Sequence, residues 1–150
     1  PFSDEWEIWR PGTADGTLIG GNLKRFMLLA GTDYFPPIET FNNSILFWED
    51  IGESWYDLAI YLQKLKHMGI LDRIGALVIG QPVWINSFFD QVDHPTLQEL
   101  VMEIMAPYDF PVISNVKFGH HTCSVPLPLG CRATLNTAVP ELVIPESAVC

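Results

Sequence analysis

The sequence is poor in positive charge, in cysteine and in long apolar runs, and each shortage removes a class of function. Eight Lys and Arg stand against 18 Asp and Glu, a formal net charge of −10. Nucleic acid and anionic membrane surfaces repel such a chain unless its basic residues cluster, and these are scattered along it. No nucleic-acid partner and no membrane partner is expected. The three cysteines, Cys123, Cys131 and Cys150, are odd in number and have no CxxC spacing, so neither a disulfide framework nor a structural zinc is signalled. A reducing cytoplasm is the expected setting. No run of about 18 apolar residues occurs, and the opening PFSDEWEIWRPG has neither the basic nor the apolar region of a signal peptide. Internal repeats and low-complexity tracts are absent as well.

What is present suits one compact domain. A chain of 150 residues, 48% of them hydrophobic, can bury a sizeable core. It begins at Pro1 with acidic and aromatic residues that read as the interior of a longer protein, so a fragment is expected. Periodicity alternates between helix and strand. GGNLKRFMLLAG, with Leu23, Phe26, Met27 and Ala30 at helical spacing, predicts a helix entered through two glycines and stopped by Gly31. SILFW (44–48), GALVIG (75–80) and PVISNV (111–116) predict strands. ESWYDLAIYLQKLKHMG predicts a helix that lines up Trp55, Leu58, Leu62 and Leu65, with acids at its start and Lys64, Lys66 and His67 at its end. HPTLQELVMEIMAP predicts another, with Pro95 in its first turn. Strands are also expected at SVPLPL, CRATLN and ELVIP, as edges because of their prolines. The pattern is α/β with a β-rich tail.

Two stretches carry chemistry. ILFWEDIGESW places Glu49 and Asp50 at the end of a predicted strand, where open α/β sheets keep functional groups. For any one acid there, capping of the next helix by Asp50 or Glu53 is the commoner role. KFGHHTCSVPLPLG places His120 and His121 on a glycine-bearing loop after another strand. A strand-end acid and a strand-end histidine can form an orienting group and a base, although a lone histidine is more often structural. Zinc on His94, His120, His121 and Cys123 is disfavoured, since adjacent histidines project differently and the set lacks ligand spacing. No GxSxG-like elbow offers a nucleophile; Ser54, Ser87 and Ser124 read as cap or loop residues.

Four blocks in order, GTLIGGNL (16–23), ILFWEDIGE (45–53), LQKLKHMGILDRIGALVIG (62–80) and FGHHTCSVPLPLG (118–130), together resemble the C-terminal domain of the LD-carboxypeptidase serine peptidase family, which also contains the microcin C immunity protein. The resemblance implies a swivelling β/β/α-type domain, an α/β fold with a mixed sheet and flanking helices, spanning residues 1–150. It implies a Ser-His-Glu triad whose serine sits on an N-terminal domain not present in this chain. Carried over residue by residue, it makes Glu49 and His120 catalytic, leaving His121 an adjacent passenger. It implies no metal and no organic cofactor. The implied partners are that N-terminal domain and a peptide or muropeptide, with a homodimer as a further candidate; the residues that bind substrate are not assigned. One departure stands out. Members acting on muropeptides often place a proline and then an arginine after the ED block, whereas this chain has ESWYDLAIYL with Asp57 near the basic position. Hydrolysis of aminoacyl-nucleotides is therefore kept as an alternative within the family, and the role of Gly20-Gly21-Asn22 is left open.

A second function class is a non-catalytic binding or assembly module, with Trp6, Trp9 and Trp84 as contacts. The distance between the Glu49 carboxylate and the His120 ring separates the two classes. Apolar surface near Trp48 and Phe118 is expected to lie open for a partner domain or for self-association.

Overall fold

Runs of apolar residues without alternation mark strands buried on both faces, the signature of a parallel sheet. The computed structural model, which describes residues 6–81, 83, 95–120, 124–145 and 147, places three such strands and a fourth, part-buried one side by side. They are β2 (Thr13–Asn22), β3 (Ile45–Glu49), β4 (Ala76–Gly80) and β5 (Val112–Val116). With β1 (Glu7–Arg10), β6 (Arg132–Asn136) and β7 (Glu141–Val143), they form a mixed seven-stranded sheet in the order β1-β5-β4-β3-β2-β6-β7. The inner ladders are parallel, whereas β1 joins β5, β6 joins β2 and β7 joins β6 antiparallel. Helices α1 (Leu23–Leu28), α2 (Trp55–His67) and α3 (Leu97–Ile104) follow β2, β3 and β4 along the chain. This is the expected α/β domain with a mixed sheet and flanking helices.

Strand alternation sorts the core into two layers. Ile19, Leu46, Trp48, Leu77, Ile79 and Val112 meet the helices, while Leu18, Ile45, Phe47, Val78 and Ile113 face the other way, toward Phe118, Ala133 and Leu135. All three helices pack on the first face; the β-rich tail and the segment after β5 cover the second. In α2 the stripe buries Leu58, Leu62 and Leu65 completely and Trp55 in part. That helix starts at a capping box. Ser54 Oγ accepts from the Asp57 N–H while Asp57 Oδ2 accepts from the Ser54 N–H, and Lys64, Lys66 and His67 complement the dipole at its end. Asp57 thus has a structural task at the position where the family pattern raised the question of a basic residue.

Several expectations are corrected. Gly20 and Gly21 belong to β2 and do not open a helix; α1 begins only at Leu23, capped by Asn22. Glycine is required at position 20, where a Cβ would run into the carbonyl oxygen of Phe47 on the neighbouring strand. Pro95 precedes the Thr96 cap of α3 and is outside its first turn. No strand forms at 124–129, where Pro126 and Pro128 remove ladder donors; the Val125 N–H reaches back to the Lys117 carbonyl at 2.8 Å. Trp48 and Phe118 are buried within the chain's own core and offer no open apolar surface. Trp84, Ser87, His94, His121, Cys123 and Cys150 lie outside the described residues.

Candidate active site

Glu49 ends β3 on the same face as Ile45 and Phe47. After β5 the chain turns so that Phe118 packs edge-on against Phe47, with ring centroids 5.5 Å apart at 90°. This apolar contact carries the next two residues across the end of β3. Gly119, at φ +87°, lies so close to Glu49 that a Cβ there would overlap the Glu49 Cγ and come within 2.7 Å of Oε2. His120 follows, and its Nδ1 stands 2.8 Å from Glu49 Oε2.

The second carboxylate oxygen is held from the other side. Asn22 is the register partner of Glu49 in the β2–β3 ladder, and its Nδ2 donates to Glu49 Oε1 at 3.1 Å. Its Oδ1 accepts from the Arg25 N–H at 3.1 Å, capping α1. One amide therefore fixes a helix start and a carboxylate together. The role left open for Gly20-Gly21-Asn22 resolves into this: two strand glycines and an asparagine that clamps Glu49. A hint was present in the sequence, since an Asn between an apolar strand and an amphipathic run is a cap candidate.

The Glu49 side chain is only 5% exposed, whereas that of His120 is half exposed. A buried carboxylate fastened at both oxygens can fix an imidazole through Nδ1, which leaves Nε2 as the nitrogen that can take or give a proton. Among the described residues, no serine is hydrogen-bonded to His120. The sequence brought Glu49 and His120 into view, and the fold joins them. Of the zinc set, His94, His121 and Cys123 fall outside the described residues.

Beside the pair is a second buried acid. Asp50 is 1% exposed, its Oδ1 accepts from the Ile51 N–H at 2.7 Å, and among the described residues its Oδ2 has no hydrogen-bond partner. Burial pushes its carboxyl up to about 6, and the negative charges of Glu53 and Glu49 add to the effect. The Ile51 N–H opposes it, as does that of Lys24, which lies near enough to favour the anion without bonding to Oδ2. Glu53 binds Lys24 Nζ at 2.6 Å, and this hydrogen bond is the main reason the lysine is held above its ordinary value. Neither Asp50 nor Glu53 caps α2; Ser54 does.

A carboxyl whose folded pKa is raised favours the fold below its unfolded value near 4, and that contribution is lost as the pH climbs through about 6. Above that range, burying the Asp50 anion costs roughly 1–3 kcal/mol. Asp50→Asn keeps an acceptor for Ile51 and removes the charge, so urea unfolding at pH 8 is expected to show a more stable variant, with little change at pH 4. A variant less stable at pH 8 would contradict this.

The match to known proteins spans the segment that holds this site. The model of the LD-carboxypeptidase C-terminal domain matches residues 15–135, a span that includes Asn22, Glu49 and His120. The murein tetrapeptide carboxypeptidase of Pseudomonas aeruginosa is 31% identical over 126 residues, covering 81% of this chain and 38% of its own length. A crystal structure of muramoyltetrapeptide carboxypeptidase from Oxalobacter formigenes superposes with a TM-score of 0.72 at 30% identity, covering 91% of this chain and 47% of that one. The microcin C7 self-immunity protein, known from Escherichia coli, superposes with a TM-score of 0.86 over 98% of this chain and 43% of that one; at 22% identity it speaks for the fold alone. The chain spans about two fifths of the length of the curated relatives it matches. With the family model covering most of the chain, and a relative above 30% identity aligned along four fifths of it, the chain belongs to the LD-carboxypeptidase family and corresponds to its C-terminal domain.

Proposed function

We propose that Glu49 and His120 are the acid and the base of a Ser-His-Glu triad in a serine carboxypeptidase, whose nucleophile is carried by an N-terminal domain outside this chain. The observation that supports the reading most is the 2.8 Å contact between His120 Nδ1 and a Glu49 carboxylate buried and clamped by Asn22. Nδ1–H donates to Glu49, and Nε2 accepts the proton of the serine hydroxyl as its oxygen attacks the carbonyl carbon of the scissile amide. The imidazolium formed is stabilised by the Glu49 charge. It returns the proton to the departing amine, which leaves as the C-terminal amino acid, and an acyl-enzyme remains. Water then repeats the cycle with the same base and frees the serine.

The substrate class we assign is a muropeptide or related peptide, cut at the bond to its last residue, with the cleft between the two domains. The setting we assign is cytoplasmic. On this reading the 150-residue chain alone is inactive, because base and orienting acid have no nucleophile to serve. The test is to incubate the full-length protein with a muropeptide tetrapeptide and follow the product by mass spectrometry. Loss of one C-terminal residue supports the assignment. Hydrolysis of an aminoacyl-nucleotide with the tetrapeptide untouched would move it to the other branch of the family, and no hydrolysis of either would favour a binding module.

A further inference from the structure

The Glu49–His120 pair occupies one face of the sheet; at the same carboxyl edge the opposite face carries a cavity. Along β4, Leu77 and Ile79 enter the helix-side core, and alternation keeps Gln81 on that side. Gln81 lines a cavity of about 500 Å³ together with Trp9 of β1, Trp55 of α2, Gln98 of α3, and Ser114 and Asn115 of β5. Its volume is within the ~300–1,000 Å³ of small-molecule sites.

The backbone is shaped around it. Consecutive strand residues ordinarily face opposite sides, yet Ser114 and Asn115 both line this cavity. Asn115 has φ +63°, in the left-handed region, and the ladders of β5 with β1 and with β4 each shift register nearby. Such irregularities re-aim side chains beside functional sites. The indoles of Trp9 and Trp55 are packed against the helix-side core, so that the fold itself sets their positions.

The lining restricts what can bind. Gln81, Gln98 and Asn115 offer amides and Ser114 a hydroxyl, groups that both donate and accept. Glu7 is the one charged residue among the described lining, and no Lys, Arg or His is present there to hold a phosphate or carboxylate. Tryptophan faces suit a ring with an apolar face and a polar rim. We propose that this cavity binds a neutral saccharide ring, laid against Trp9 or Trp55 with its hydroxyl or acetamido groups met by Gln81, Ser114 and Asn115.

Chitobiose, the disaccharide of N-acetylglucosamine, serves as probe. Titrated into the full-length protein, it is expected to bind saturably and to move the Trp9 and Trp55 indole N–H signals in ¹H–¹⁵N spectra. Gln81→Ala, a change at a half-buried side chain, and Asn115→Gly, which keeps the left-handed backbone while removing the amide, should each weaken binding about five- to tenfold. Adenosine monophosphate, which pairs a stacking base with an anionic group, should not compete. The inference fails if chitobiose does not saturate, if Gln81→Ala and Asn115→Gly leave affinity unchanged, or if the nucleotide displaces the sugar. None of these outcomes bears on Glu49 or His120, whose role is read from hydrolysis.

Discussion

Replacing His120 by alanine in the full-length enzyme is expected to lower kcat by on the order of 10⁵–10⁶-fold, because a serine hydroxyl is a poor nucleophile at neutral pH without a base beside it. Glu49→Gln should cost less, roughly 10⁴-fold, since it keeps the shape of the clamp and removes the charge that stabilises the imidazolium. Both changes touch the buried carboxylate that Asn22 and His120 hold, so some loss of stability is expected with them; circular dichroism and thermal melts measure it, and kcat is compared on protein shown to be folded. His121→Ala should leave turnover in the same order of magnitude. Equal damage from His120→Ala and His121→Ala would mean that the base has been placed one residue off.

Gly119→Ala is the second large effect, and its value lies in a built-in control. Gly119 and Gly130 have nearly the same backbone angle, φ +87° and +83°, so alanine pays a similar left-handed penalty at either, about 1–2 kcal/mol. They differ in what a Cβ would meet. At Gly130 there is open space, whereas at Gly119 the new atom overlaps the Glu49 side chain. Glu49 cannot retreat without leaving Asn22 or His120, to which its two oxygens are bonded. Gly130→Ala should therefore lower stability modestly with kcat intact, while Gly119→Ala should lower kcat by about 10²-fold or more through misplacement of the pair. If the two variants lose activity equally, the close approach at Gly119 is not what positions Glu49.

How far the sequence led depends on the physics of each element. Strands β3, β4 and β5 were legible because buried parallel strands are short apolar runs bounded by turn residues. Helix α2 was legible from its Leu58, Leu62 and Leu65 stripe and its charge order. Strand β2 was not. Its C-terminal half contains two glycines, one of them demanded by the Phe47 carbonyl rather than by any local preference, so the run read as the entrance of a helix. The burial of Trp48 and Phe118 was equally hidden, because it depends on helices and tail folding onto opposite faces of the sheet.

The candidate site shows the same division. Glu49 and His120 each stood out locally as a strand-end group, but 71 residues separate them and nothing in their spacing says that they touch. The strand-end positions suggested an acid and a histidine acting together, the resemblance to the family singled out these two, and the Phe47–Phe118 contact supplies the physical reason for their approach. Asn22 went unassigned because its importance lies in register, opposite Glu49 on the neighbouring strand, and register is a property of the assembled sheet. Asp50 and Glu53 drew attention as caps, a task that Ser54 and Asp57 perform instead.

The central claim is that Glu49 holds His120 by Nδ1 so that Nε2 is left to serve a serine. Long-range ¹H–¹⁵N correlation spectra of the imidazole read this directly, at a pH where the ring is neutral. The account predicts that His120 carries its proton on Nδ1 in the wild-type protein, and that Glu49→Gln shifts the population toward the Nε2-protonated tautomer. A wild-type His120 protonated on Nε2, or a tautomer indifferent to Glu49→Gln, would contradict it.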